Sequence, residues 1–390
     1  MTVAVEPRCL SLLRELIEIP SENPPGDEQA VAAHLADLLR EAGLETRIVA
    51  ADPRRPNLIA RAYGGPGGPR LIFQGHLDTK PAYGAAVNAA WKTDPYRAVE
   101  IDGDVHGLGA ADTKGGVAAQ LVALLDFLHG PASWRGEVVW QGVADEENGS
   151  LLGAAHLLEH GLLCADGAIV AEPTNLTITT AQLGNAWARV QIHGRAAHAG
   201  TPARGVDAFR IMLSLVARLD ADLAKRARDP RFHGHPRLNV GSVVCGSHPG
   251  TIPGDATMLI DVRVLPGESR DHVHQLLRDA AAACTPSGAR IDVELHAGGG
   301  CESHEVNPSE WIVRALSAAW QQATEQAPVL TGFYGGTDAR YFARAGTPAI
   351  VFGPGNLEQA HAPDEYVRAA DVVTATRVQT ALLDRFFAPG

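Results

Sequence analysis

Four short apolar segments of this 390-residue chain run into acidic or imidazole side chains. RLIFQ leads into Gly75-His76-Leu77-Asp78, and EVVWQGV leads into Asp145-Glu146-Glu147. GAIV leads to Glu172, and AIVFGPG leads, after a short loop, to His361. Apolar runs at 57–63, 70–74, 137–143, 168–171 and 348–352 read as strands, with glycines or helix-like stretches between them. Strands alternating with helices predict an α/β sheet covered on both faces. Such sheets bind ligands beyond the carboxyl ends of their strands. If these strands are parallel neighbours, His76, Asp78, Glu146, Glu147, Glu172 and His361 meet at one edge. Asp112 joins them from the glycine-flanked loop GLGAADTKGG.

Taken singly, each residue has an ordinary reading. His76 is a strand-end histidine, Glu146-Glu147 a solvated turn, Glu172 a loop acid before Pro173, and Asp112 a partner for Lys114. Together they place several carboxylates and two histidines in one small volume, where unpaired carboxylates repel and need a cation. Five ligands with one shared carboxylate suit two divalent metals, which in hydrolytic pairs sit about 3.5–4 Å apart. Mixed imidazole and carboxylate ligation points to zinc first, with cobalt or manganese as alternatives.

Charge and composition narrow the partners. Lys plus Arg number 33 against 45 Asp plus Glu, a net charge of −12, which disfavours nucleic acid and membrane surfaces. No apolar run approaches the roughly 20 residues of a membrane span. The five cysteines are odd in number, scattered and free of any C-x-x-C, so reduced thiols in a cytoplasm are expected. Glu15 and Glu18 fall where an export signal needs an apolar core. H-E-x-x-H, G-x-S-x-G and the phosphate-binding G-x-x-x-x-G-K are absent, and GLGAAD is a poor match to a dinucleotide fingerprint.

Helices are expected at 8–19 and at 27–41, the latter with Asp27 as N-cap and Gly43 just past its end. Between about 182 and 297 the pattern changes to strand WARVQIHG, helix 206–228, strands NVGSVV and ATMLIDVRV, helix 269–284 and strand RIDVELH. That β-α-β-β-α-β order is ferredoxin-like. The expected organisation is a catalytic domain at 1–181, an inserted α+β domain at 182–297, and the catalytic domain again at 298–390. GGGCESHEVNP reads as the returning linker.

The blocks GHLDT, GLGAADTKGG, ADEENGS, AEPT, GRAAHAGTP, DVRVLPG, GGTDAR and GPGNLEQAHAPDE follow one another between about residues 10 and 385. In this order they resemble the dinuclear zinc amidohydrolases and peptidases that include acetylornithine deacetylase, succinyl-diaminopimelate desuccinylase and glutamate carboxypeptidase. The resemblance implies a mixed-sheet α/β/α catalytic domain with an inserted lid and dimerisation domain. It implies that His76 and Glu172 hold one zinc, Glu147 and His361 the other, and that Asp112 bridges both opposite a bridging water. It makes Glu146 the general base and Asp78 the residue that orients His76. It also implies a cis peptide after Asp112. His198 would reach into a partner subunit's site, Arg263 would grip a substrate carboxylate, and Gly336 and Thr337 would line the pocket.

Glutamate at 172 matches the deacylases and carboxypeptidases of that group. The expected substrate is therefore an N-acyl amino acid or related small amide, cleaved by an acetylornithine deacetylase-like cytoplasmic homodimer. The alternative is a carboxypeptidase-type exopeptidase acting on a short peptide. One departure stands out: the family often has asparagine before the Ile-Pro that precedes DVR, and here Gly250 or Thr251 takes that place.

Overall fold

The strand Arg70–His76 lies near the middle of the main sheet, and its side chains divide between two cores. Leu71 and Phe73 point into one apolar cluster and Ile72 into another, as the two-residue period of a strand requires. The computed structural model describes residues 5–83, 91–130, 133–232 and 238–387. The chain divides into two compact units. The first comprises Met1–Thr180, Val306–Thr331 and Thr337–Gly390, and the second Ala181–Glu305 and Gly332–Gly336.

In the first unit the strands run in the order Glu45–Val49, Asn57–Gly65, Gly136–Val143, Arg70–His76, Gly167–Val170, Ala349–Val351, Ile178–Gln182. The first three pair antiparallel. Gly136–Val143, Arg70–His76, Gly167–Val170 and Ala349–Val351 are parallel neighbours. These four are the strands whose ends carry the candidate side chains. His76 pairs with Val143, and Gln74 with Val170, so the ends are level to within a residue or two.

Five helices, Val5–Ile17, Gln29–Glu41, Gly115–Leu128, Trp311–Thr324 and Ala369–Phe387, cover one face of the sheet, with Leu16, Leu35, Leu124, Leu316 and Leu382 in one apolar cluster with Phe73 and Trp140. Ala154–Glu159 and Ala339–Arg344 cover the other, with Leu157 and Phe342 against Ile72 and Val139.

The helix expected at 27–41 is Gln29–Glu41, and its N-cap is Glu28 rather than Asp27. Asp27 accepts the Gln29 amide at 3.2 Å. The Glu28 carboxylate makes no cap bond, because it is bound to the buried Arg55 guanidinium at 2.6 and 2.8 Å. Gly43 takes φ +83 just past the helix end, a left-handed position that suits glycine.

The second unit holds the β-α-β-β-α-β pattern: Gly184–His193, Ala208–Leu223, Leu238–Cys245, Asp255–Val264, Arg270–Cys284 and Arg290–Cys301. Its four strands are antiparallel. Counted along the chain, the sheet order is second, third, first, fourth. Ala186, Ala188, Val190 and Ile192 pack against the helices, while Trp187 and Arg189 face out. Asp207 and Ser269 cap the two helices with their side chains. The GGGC stretch expected as a linker is strand instead. After a register shift, Gly300 and Cys301 pair with Ala186 and Asn185, so the crossing back to the first unit falls after Glu305.

Candidate metal centre

The first unit brings His76, Asp78, Asp112, Glu146, Glu147, Glu172 and His361 to the carboxyl edge of the parallel strands. His76 ends its strand and is 2% exposed. Its Nδ1 lies 2.8 Å from the main-chain oxygen of Asp78, and its Nε2 2.9 Å from Asp112 Oδ1. A neutral imidazole that donates from Nδ1 to that carbonyl leaves the Nε2 lone pair facing Asp112.

Asp112 sits in the turn Ala110–Lys114, and its peptide to Thr113 is cis. Its second oxygen, Oδ2, lies 3.3 Å from His361 Nε2. His361 lies in turn 3.0 Å from Glu147 Oε2. Two donor groups result, His76–Asp112–Glu172 and Asp112–Glu147–His361, each with ligand atoms within 4.8 Å of one another. They share Asp112, which offers one oxygen to each histidine.

The electrostatics of this edge call for cations. Glu172 is buried, and its Oε1 has no hydrogen-bond partner. Burial, then the charges of Glu146 and Asp112, hold its carboxyl well above the usual carboxylate range. Burial likewise pushes Glu146 up to about 8, with Asp338 and Glu147 adding to the shift against the opposing charge of His76. Burial alone would lower both histidines. The Asp112 hydrogen bond and charge hold His76 well above its ordinary value, and Asp112 and Glu147 push His361 up to about 10. The histidines in turn hold Asp112 low against the penalty of its burial. An orphaned buried carboxylate oxygen and two imidazoles drawn toward the charged form fit a pair of divalent cations, whose charge removes both conflicts.

The Asp78 carboxylate is tied to the Glu146-Glu147 turn. Its oxygens accept the Glu146 and Glu147 amides, both at 3.2 Å, and the Asn23 side-chain amide at 2.8 Å. Its Oδ1 is 3.6 Å from His76 Nδ1, so the closer contact to the imidazole is the main-chain oxygen. Asn23 also donates to Asp145 Oδ1, which the Arg55 guanidinium holds as well.

Several residues here were not singled out in the sequence. Asn23, Arg55 and Asp145 form the support just described. Asp338 is buried and accepts the Ser150 hydroxyl at 2.5 Å. The Lys80 ammonium contacts the Glu147 main-chain oxygen and lies 3.4 Å from its carboxylate. Glu365 binds the amides of the Asp112 loop. Asp145 had a signal at its strand end, Asp338 its place in GGTDAR, and Glu365 its place four residues past His361 in HAPDE.

Thr337 belongs to the first unit, fully buried, with Oγ1 accepting the Ala339 amide. His198, Arg263 and Gly336 belong to the second unit. His198 is exposed on the short strand Ala197–His198, which pairs with Thr251–Ile252. Thr251, which with Gly250 marks the departure from the family pattern, stands opposite His198. Arg263 Nη2 lies 3.1 Å from Asp261, and its Nη1 lies 3.3 Å from the Tyr334 oxygen.

A fold and an edge of this kind define a metallohydrolase, and the comparisons give the family. The profile described as Peptidase family M20/M25/M40 matches residues 72–385. The chain belongs to this family and is, with it, a metal-dependent amide hydrolase. It is 29% identical over 393 residues to an acetylornithine deacetylase of Pectobacterium atrosepticum, covering 97% of this chain and 98% of that one. The aminopeptidase PepT of Bacillus cereus has a similar fold, with TM-score 0.77, 20% identity and 98% of each chain covered. So has a dinuclear metal-binding peptidase of the M20 family from Bacillus subtilis, with TM-score 0.71, 17% identity and 97% of each chain covered.

Proposed function

We propose that this chain is a deacylase that cleaves the amide bond of an N-acyl amino acid or a related small amide, in the manner of acetylornithine deacetylase. The observation that carries the reading is Asp112, whose two carboxylate oxygens face His76 and His361 within two donor groups. In this reading His76 and Glu172 would hold one divalent cation and Glu147 and His361 the other, with Asp112 contributing to both. The donor set suits zinc, with cobalt or manganese as alternatives. Bound there, the cations would supply Lewis acidity, polarising the amide carbonyl and lowering the pKa of nearby water toward about 7.

Glu146 takes the proton from the attacking water and returns it to the departing amine, acting as base and then as acid. Its carboxyl belongs to neither donor group, which leaves it free for proton transfer. Asp78 keeps Glu146 and Glu147 in place through their amides. His198 donates to the oxyanion of a partner subunit's site, Arg263 binds the substrate carboxylate, and Gly336 and Thr337 line the pocket.

The dimer forms through the second unit. Leu238–Cys245 is an edge strand whose outer side is unpaired among the described residues, with Val243 and Val244 exposed. The helix Ala208–Leu223 exposes Phe209 and Leu213. A cytoplasmic location fits five cysteines that form no disulfide. No helix among the described residues is long and apolar enough to cross a membrane.

Glu146→Gln tests the function. Turnover of N-acetyl amino acids is expected to fall about 10²–10⁴-fold with metal content unchanged; substantial residual activity would overturn the assignment. Mixing His198→Ala with Glu146→Ala subunits is expected to restore activity, and no recovery despite confirmed subunit exchange would remove the shared site. A panel of N-acyl amino acids against dipeptides separates the deacylase from the carboxypeptidase reading.

A further inference from the structure

We propose that Glu365 is a positioning residue for the metal centre, fixing the loop that presents Asp112. Glu365 follows His361 by four residues and precedes the short strand Tyr366–Arg368. That strand pairs with Asp104–His106, the segment that enters the Asp112 loop, with Tyr366 opposite His106. The main-chain oxygen of Glu365 accepts the Gly107 amide at 3.0 Å. Its side chain, 3% exposed, extends the grip. Oε2 accepts the Gly109 amide at 2.8 Å, and Oε1 accepts the Ala111 and Asp112 amides at 2.9 and 3.0 Å. One residue therefore holds four of the six amides from Gly107 to Asp112.

The loop is shaped for this grip. Gly109 adopts φ +76, and a Cβ there would lie 2.5 Å from Thr79 Cγ2, so the turn admits only glycine. Both carboxylate oxygens of Glu365 are engaged by amides, and the residue is in neither donor group. The buried Lys114, whose Nζ donates to the Ile19 oxygen at 2.9 Å, supplies attractive charge. Three amides converge on this one carboxyl group, and metal sites need their ligands held to about 0.5 Å. Because Glu365 lies on the same stretch as His361, it ties the loops of two candidate ligands together.

The inference rests on reading Asp112 as a ligand, so its test carries Asp112→Asn alongside. Glu365→Gln retains one acceptor oxygen but turns an NH2 group toward an amide donor. Glu365→Asp keeps the carboxyl group and draws it back by one methylene. Each variant is checked for folding by circular dichroism and titrated with zinc against a chromophoric chelator. Both Glu365 variants are expected to fold and to bind zinc at least tenfold more weakly than the parent. At saturating zinc, kcat should fall at least tenfold with KM within about twofold. Wild-type zinc affinity in a folded Glu365 variant, beside a loss in Asp112→Asn, overturns the positioning role alone. Undiminished zinc binding in Asp112→Asn overturns the ligand reading instead. Failure of both Glu365 variants to fold would make the residue a folding determinant and overturn the proposal.

Discussion

Arg55→Met tests the buried support under the Asp145-Glu146-Glu147 turn. The Arg55 guanidinium forks onto Glu28 at 2.6 and 2.8 Å and reaches Asp145 Oδ1 at 3.2 Å. The side chains of Arg55, Glu28 and Asp145 are 7%, 0% and 6% exposed. Gly26 makes room for the guanidinium, since a Cβ there would lie 2.1 Å from Arg55 Nη1. Methionine preserves much of the packing volume but leaves two buried carboxylates without their cation. Breaking a buried pair from one side costs about 3–5 kcal/mol, whereas replacing both partners by apolar groups is often close to neutral. The single variant should therefore lose about 3–5 kcal/mol, and Arg55→Met/Glu28→Leu should lose less than the sum of its two singles. Asn23 bridges Asp145 and Asp78, so kcat should fall as well. Urea unfolding followed by tryptophan fluorescence reads the stability; Trp140 is fully buried in the main core. A loss below about 1 kcal/mol, or strict additivity in the cycle, would refute the reasoning.

Without metal, stability should fall as pH rises. Asp78 is raised to about 7 and Glu365 to about 8, each by burial first, so the folded state holds more protons than the unfolded chain from roughly pH 4 to 8. His361, raised to about 10 by Asp112 and Glu147 against its burial, adds stability that is complete below its ordinary 6.5 and lost through pH 10. Urea midpoints in chelator at pH 6 and pH 9 should therefore decline and zinc should reduce the decline; a rising apo midpoint would contradict this. Gly153→Ala places a Cβ 1.9 Å from the Ala144 oxygen, just before the Asp145-Glu146-Glu147 turn. It should cost about 1–3 kcal/mol as an overpacked site and lower kcat, and an unchanged melting temperature would remove the steric argument.

The strand ends were legible because an apolar run that stops abruptly on His76, Glu172 or Asp145-Glu146-Glu147 is a local pattern. The insert was legible for the same reason, since its strands alternate and its helices begin at Asp207 and Ser269. Sheet order was not, because nothing local in Gly136–Val143 or Gly167–Val170 says that both flank Arg70–His76. The long-range partners stayed hidden likewise. Glu28 reads as an ordinary first-turn acid until Arg55 arrives from 27 residues away. Glu365 gains its meaning only from amides some 250 residues upstream. The GGGC stretch misled by composition, since its glycines look like a linker while Gly300 and Cys301 extend a strand.

Metal content by inductively coupled plasma mass spectrometry, after dialysis in zinc and removal of the excess, tests the central claim most directly. Two zinc ions per chain are expected, about one in His76→Ala and in His361→Ala, and fewer than one tightly held ion in Asp112→Ala. A parent protein that retains one ion or none, or an Asp112→Ala variant that still holds two, would contradict it.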